Sequence, residues 1–312
     1  MSKLFFLSVV FLLIFNGLFS QQNTNDNKFR QLHQDLPTPN VYRTAAGTPG
    51  HEYYQQKADY EMKIVLDDEK QRIYGDETIT YTNNSPNPLP YLWLQLDQNM
   101  RAKDSDTKKI STSKISDNTS FEDLARLLND FDGGFKIEEV KSENGEDLSY
   151  TINKTMMRID LETPLKEGES FVFKLKWWYN INNRMEIGGR SGYEYFEDED
   201  NYLYTIAQFF PRMAVYNDVE GWQNKQFLGR GEFTLPFGDY TVKITAPADH
   251  VVASTGVLQN PDEVLTKQQV ERLEKAKDAS QPVLIITEDE AKKVEKKKSK
   301  ESKTWVYKAE NV

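Results

Sequence analysis

From Asp59 onward the chain alternates apolar and polar residues with a period of two. Tyr60, Met62, Ile64 and Leu66 fall on one side, with Glu61, Lys63 and Val65 on the other. That spacing belongs to a strand with one buried face. Asp67, Asp68 and Glu69 read as a turn, after which Ile73, Gly75, Glu77, Ile79 and Tyr81 face away from Tyr74, Asp76, Thr78 and Thr80. The two runs predict a hairpin. Three prolines between Asn83 and Pro90 end it, and Tyr91 to Leu96 forms a third strand.

Further strands are expected at Phe135 to Val140, Leu148 to Ile152 and Met157 to Leu161. Phe171, Phe173, Leu175 and Trp177 then share one face, opposite Lys174 and Lys176. Later strands are expected at Phe233 to Leu235, Tyr240 to Ala246, His250 to Thr255, Val283 to Thr287 and Thr304 to Lys308. Many short strands separated by turns predict an all-β, antiparallel sandwich. Helices enter as insertions at about 101–134 and 260–302. Ser120 is a candidate N-cap for a short helix over 120–129. Asn260, Pro261 and Glu263 supply N-cap, N1 and N3 residues for a helix reaching Lys277, with Leu265 and Leu273 inward. Glu288 to Ser302 reads as a charged helix or loop.

The first residues follow a different rule. Lys3 precedes the nearly unbroken apolar run Leu4 to Phe15, and Asn16, Gly17 and Ser20 give a small-residue exit. Residues 1–20 therefore read as a secretory signal peptide, too short for a membrane span. The mature chain is expected to be exported to the periplasm, cell surface or exterior, with no stable membrane span. Residues 21–58 are a polar arm without a period, and 59–312 form the β domain.

Composition narrows the chemistry. Apolar residues are 38% and charged residues 28% of the 312, which points to one sizeable core diluted by polar insertions. A net charge of −10 disfavours nucleic acid as a partner. Without cysteine, neither disulfides nor thiolate chemistry is possible. The histidines are His33, His51 and His250, and no H-E-x-x-H occurs, so that type of zinc centre cannot form here. No G-x-S-x-G is present. The acidic run Glu197 to Asp200 lacks the order of a calcium loop and reads as solvated. Gly188, Gly189 and Gly192 do not join a strand to a helix, so a phosphate-cradling loop is not expected. A carboxylate pair for glycoside hydrolysis cannot be chosen among 49 acidic residues.

The densest group of aromatics, glycines and prolines runs from Gln208 to Gly256. Its first half, to Gly231, has no sustained period, and an aromatic loop on a sheet is a common binding surface. The segments TIAQFFPRMAVYNDVEGW and GRGEFTLPFGDYTVKITAPADHVVASTGVLQNP resemble the N-terminal domain of the zinc aminopeptidases related to aminopeptidase N and leukotriene hydrolase. The ending TWVYKAENV resembles the strand where that family passes into its catalytic domain. The resemblance implies a saddle-shaped antiparallel β domain over about 59–312. It implies that the Gln208 side-chain oxygen accepts a hydrogen bond from the α-amino group of a peptide substrate. Bracing of its own loop is the other role open to Gln208. The family's G-x-M-E-N segment is not matched by Met185-Glu186, which lies upstream of Gln208.

The resemblance places zinc and its general base in a downstream catalytic domain that these 312 residues do not include, so no cofactor is expected in this chain. Phe209, Phe210 and Trp222 are then an interface for that domain. The alternative is a non-catalytic secreted binding module for peptide or glycan.

Overall fold

A computed structural model describes residues 39–312 except 111–115, 117, 122–123, 125–129, 230, 232 and 297. The expected signal peptide, the arm to residue 38 and most of the helix over 120–129 lie outside the described residues. The described chain falls into two units that part between Tyr53 and Tyr54. In the first, an Arg43–Pro49 bridge closes a turn whose start is held by the Asn40 side chain, which accepts from the Tyr42 and Arg43 N–H groups.

The second unit is built on strands β1 (Lys57–Asp67), β2 (Arg72–Thr82), β3 (Leu89–Gln95), β4 (Lys136–Ser142), β5 (Tyr150–Asn153), β6 (Met156–Leu165) and β7 (Ser170–Asn180). They are followed by β8 (Gly192–Phe196), β9 (Asn201–Thr205), β10 (Arg212–Met213), β11 (Tyr216–Asn217), β12 (Gly221–Trp222), β13 (Tyr240–Pro247), β14 (Val257–Leu258) and β15 (Ser302–Ala309). A seven-stranded sheet has the order β14-β15-β13-β1-β2-β7-β4, and a four-stranded sheet the order β10-β3-β6-β5. Among the described residues the paired strands run antiparallel except β1 and β13, which run parallel from Tyr60 beside Tyr240 to Val65 beside Thr245.

The alternation in β1, β2 and β7 sets which side is buried. Tyr60, Met62, Ile64, Ile79, Tyr81, Phe173, Leu175 and Trp177 meet Leu92, Leu94, Met157 and Ile159 of the smaller sheet in one core. Each such side chain contributes about 1.5–3 kcal/mol on burial. Gly75 has a packing reason: it lies beside Trp177, and a Cβ there would come within 2.2 Å of the indole. The exception on the buried face is Glu77, which is fully enclosed.

Several expected elements differ. The helix from Asn260 is two helices, α1 (Pro261–Val264) and α2 (Lys267–Lys277), broken at Leu265. Thr266 caps α2 in a reciprocal capping box with Gln269. Asn260 makes no cap bond; its Nδ2 donates to the Thr304 carbonyl and its Oδ1 accepts from the Val306 N–H. The amide thereby extends the edge of β15 where the two-residue β14 stops. Phe233 to Leu235, His250 to Thr255 and Val283 to Thr287 are not strands. Around them the polar groups bond elsewhere: the Val252 carbonyl accepts from the Tyr307 hydroxyl, and Thr287 caps α3 (Glu288–Glu295). The region 180–200, where no strand is expected, holds β8, the first arm of a hairpin with β9; the acidic run 197–200 is its exposed turn. Among the described residues no helix is long and apolar enough to cross a membrane.

Candidate functional site

Gln208 follows β9 after two residues. Its φ is 51°, the left-handed region that disfavours a side chain by about 1–2 kcal/mol. The turn is held from outside. Gln98 is 3% exposed and sits in the short 3-10 turn Asp97–Arg101. Its Nε2 donates to the carbonyls of both Ala207 (3.1 Å) and Gln208 (2.9 Å). The Ala207 N–H donates in turn to Ser191 Oγ, whose hydroxyl donates to the Thr205 carbonyl. The amide that braces this loop is therefore that of Gln98. The Gln208 side chain is half-buried and makes no hydrogen bond among the described residues.

Four residues on, Arg212 anchors the other end of the loop. Its Nε donates to Asp97 Oδ2 at 2.6 Å. Arg212 and Met213 form β10 against Gln95 and Leu94, and the Met213 N–H donates to the Tyr60 hydroxyl. Burial pushes the Tyr60 phenol far above its ordinary pKa and Tyr240 to about 12, so both stay neutral here. The adjacent 3-10 turn thus contributes two clamps from consecutive residues, one ionic and one amide.

Phe209, Phe210 and Trp222 are half-buried against the chain's own core. Phe210 meets Tyr60 edge-on at 5.4 Å, and Trp222 stacks on Tyr81 at 5.9 Å. The small β11–β12 hairpin places Trp222 opposite Tyr216, and the Asn217 side chain closes it by accepting from the N–H groups of Val219 and Glu220. The remainder of the loop to Phe227 is fixed by Gln226, whose Oε1 accepts from the N–H and hydroxyl of Thr155. Side-chain-to-backbone bonds have no period, so the sequence shows no trace of them. Asp97, Gln98 and Arg101 act through such bonds or through pairs of side chains, and their one signal in the sequence is a polar run placed directly after an apolar strand.

Among the described residues no three of His, Asp, Glu or Cys come together to hold an ion. His250 lies 3.4 Å from its neighbour Asp249 and packs by the Tyr204 ring, while His51 is exposed beside Glu52. His33 is outside the described residues. The described residues do not gather into a set that fits a zinc ion.

No family model and no curated protein matches the chain. Its structural neighbours are M1 zinc metallopeptidases. A mutant of the enzyme from Deinococcus radiodurans, bound to a Tyr-Ser-Ala substrate, has 14% identity and a TM-score of 0.36, covering 66% of this chain and 36% of that one. A two-domain mutant bound to L-tryptophan has 14% identity and a TM-score of 0.36, covering 68% and 38%. The enzyme from Deinococcus radiodurans without a named ligand has 13% identity and a TM-score of 0.35, covering 66% and 35%. The chain thus spans little more than a third of the structures it matches.

Proposed function

We propose that this chain is the substrate-side, N-terminal domain of an exported zinc-dependent aminopeptidase, with zinc and the general base supplied by a downstream catalytic domain. The observation that carries the reading is Gln208. Its backbone is held in a strained conformation by Gln98, while its own side-chain amide has no partner among the described residues. A side-chain amide carried on a fixed backbone position is suited to accept from the ammonium of a peptide N-terminus. Strain of this kind is held where position matters.

The test is kinetic. The 312-residue chain with added zinc should not hydrolyse aminoacyl nitroanilides, and the polypeptide continued through an H-E-x-x-H segment should. In the longer protein, Gln208→Ala should raise KM for free-amine substrates by about tenfold or more, with a smaller change in kcat. Zinc-dependent turnover by the 312 residues alone, or a Gln208→Ala enzyme with unchanged KM, would overturn the reading.

One observation favours the alternative of a binding module for peptide or glycan. Tyr193, Tyr195, Tyr202 and Tyr204 lie on one face of the β8–β9 hairpin, with ring centroids 4.9 to 6.4 Å apart. Metal-independent binding of an N-acetylated peptide or a glycan, lost in Tyr195→Ala, would select it.

A further inference from the structure

Arg101 ends the 3-10 turn one helical turn from Gln98. It is half-buried, and burial holds its pKa below the usual value for a guanidinium. One N–H, on Nη1, donates to Gln98 Oε1 at 3.0 Å. The Tyr179 phenol, which burial keeps neutral, is the one titratable side chain among the described residues that acts on it. No carboxylate among the described residues pairs with Arg101.

Other arginines of this unit are treated differently. Arg158 pairs with Asp160, Arg184 with Glu194, Arg212 with Asp97 and Arg272 with Glu290. Arg72 covers the Trp178 ring and donates to Asn180. Desolvating a guanidinium against one neutral amide oxygen is costly, and a fixed, planar cation in that state is a receptor for an anion.

The surroundings say where the anion would sit. The Nη2 edge points to the exposed Gly188–Gly189 loop: a Cβ on Gly189 would lie 2.8 Å from Nη2. Both glycines have positive φ, 79° and 97°, and the Gly189 N–H donates to no group among the described residues. A half-buried fork and an open backbone N–H therefore border the same place. A planar carboxylate fits that fork with two parallel hydrogen bonds.

We propose that Arg101 and the Gly188–Gly189 loop form a binding site for a peptide carboxylate, taken through the free Nη2 edge. The site does not require the aminopeptidase reading. It is joined to Gln208 through Gln98, whose Oε1 holds Arg101 while its Nε2 holds the Ala207 and Gln208 carbonyls.

The experiment is a heteronuclear NMR titration of the isotopically labelled 312-residue chain, following the Gly189 amide and the Arg101 Nε–H. Three probes separate the sources: Ac-Gly-Glu-Gly-amide carries only a side-chain carboxylate, Ac-Gly-Gly-Gly acid only a terminal one, and Ac-Gly-Gln-Gly-amide neither. At least one carboxylate peptide should shift both signals saturably, and the neutral peptide should shift neither. Arg101→Gln should weaken binding about tenfold or more. Gly189→Ala, which crowds Nη2 without touching the core, should weaken it as well and carries the test if Arg101→Gln does not fold. Equal response to the neutral peptide, no saturation with either acid, or unchanged binding in a folded variant would overturn the proposal.

Discussion

Arg212 Nε lies 2.6 Å from Asp97 Oδ2, with only 10% and 1% of the two side chains exposed. The pair links β10 to the turn after β3, and so fixes the loop that starts at Gln208. Breaking the pair takes the counter-charge away from a buried ion. Arg212→Met or Asp97→Asn should each destabilise the chain by about 3–5 kcal/mol. The double variant Asp97→Leu, Arg212→Met should recover most of that loss. Urea unfolding of the four proteins measures the cycle; additive losses would show that the pair is not coupled.

Gln98 and Gln208 should separate cleanly by substitution. Gln98→Ala leaves two carbonyls without their donor and should cost about 1–3 kcal/mol. Gln208→Gly relieves the left-handed backbone and should gain up to about 1 kcal/mol. Gln208→Ala keeps the strain and should leave stability near that of the parent. Chemical denaturation reads all three, and a large loss in Gln208→Ala would mean that its side chain supports the fold.

Glu77 gives the chain a pH dependence of known sign. Burial raises its folded-state pKa well above 4.5, so the folded state holds a proton that the unfolded state releases. Stability from this group is complete below the unfolded carboxylate pKa and is lost as pH rises toward the folded value. The slope is up to about 1.4 kcal/mol per pH unit. Glu77→Gln should flatten the decline and melt higher than the parent at pH 8. Thermal melts across pH 5 to 9 test this, and parallel curves for the two proteins would refute it.

Gly75→Ala pushes a methyl group into the Trp177 indole across the β2–β7 ladder. Neither strand can retreat without disturbing the core, so a loss of about 1–3 kcal/mol is expected. Trp177→Phe in the same chain should restore part of it, as equilibrium unfolding would show.

The strands were legible wherever one face is buried, because β1, β2 and β7 alternate over their whole lengths. The β8–β9 hairpin carries the same period in its tyrosines, but glycines before it and an acidic turn within it hid the signal. His250 to Thr255 and Val283 to Thr287 have strand-like composition but pair with no strand among the described residues, and pairing is a tertiary fact. At the site, Gln208 was reached through a resemblance, and its surroundings were not. Gln98, Asp97 and Arg101 act through single bonds to residues more than 100 positions away or to one another. Local pattern carries no record of such bonds. Asn260 shows the converse: a strong helix-start signal, with the side chain used to mend a sheet edge.

The parallel pairing of β1 and β13 has a consequence for the order of assembly. The Asp239 N–H reaches Asp59 across 180 residues, and the ladder from Tyr60 to Val65 depends on the strand that follows. Until Tyr240 to Thr245 arrive, β1 keeps one open hydrogen-bonding edge in the middle of what becomes a seven-stranded sheet. Closing so long a loop is slow, and an uncovered strand edge recruits other chains. Nascent or proteolysed chains that stop short of β13 should therefore self-associate through β1, a hazard that β13 removes once it pairs with that edge.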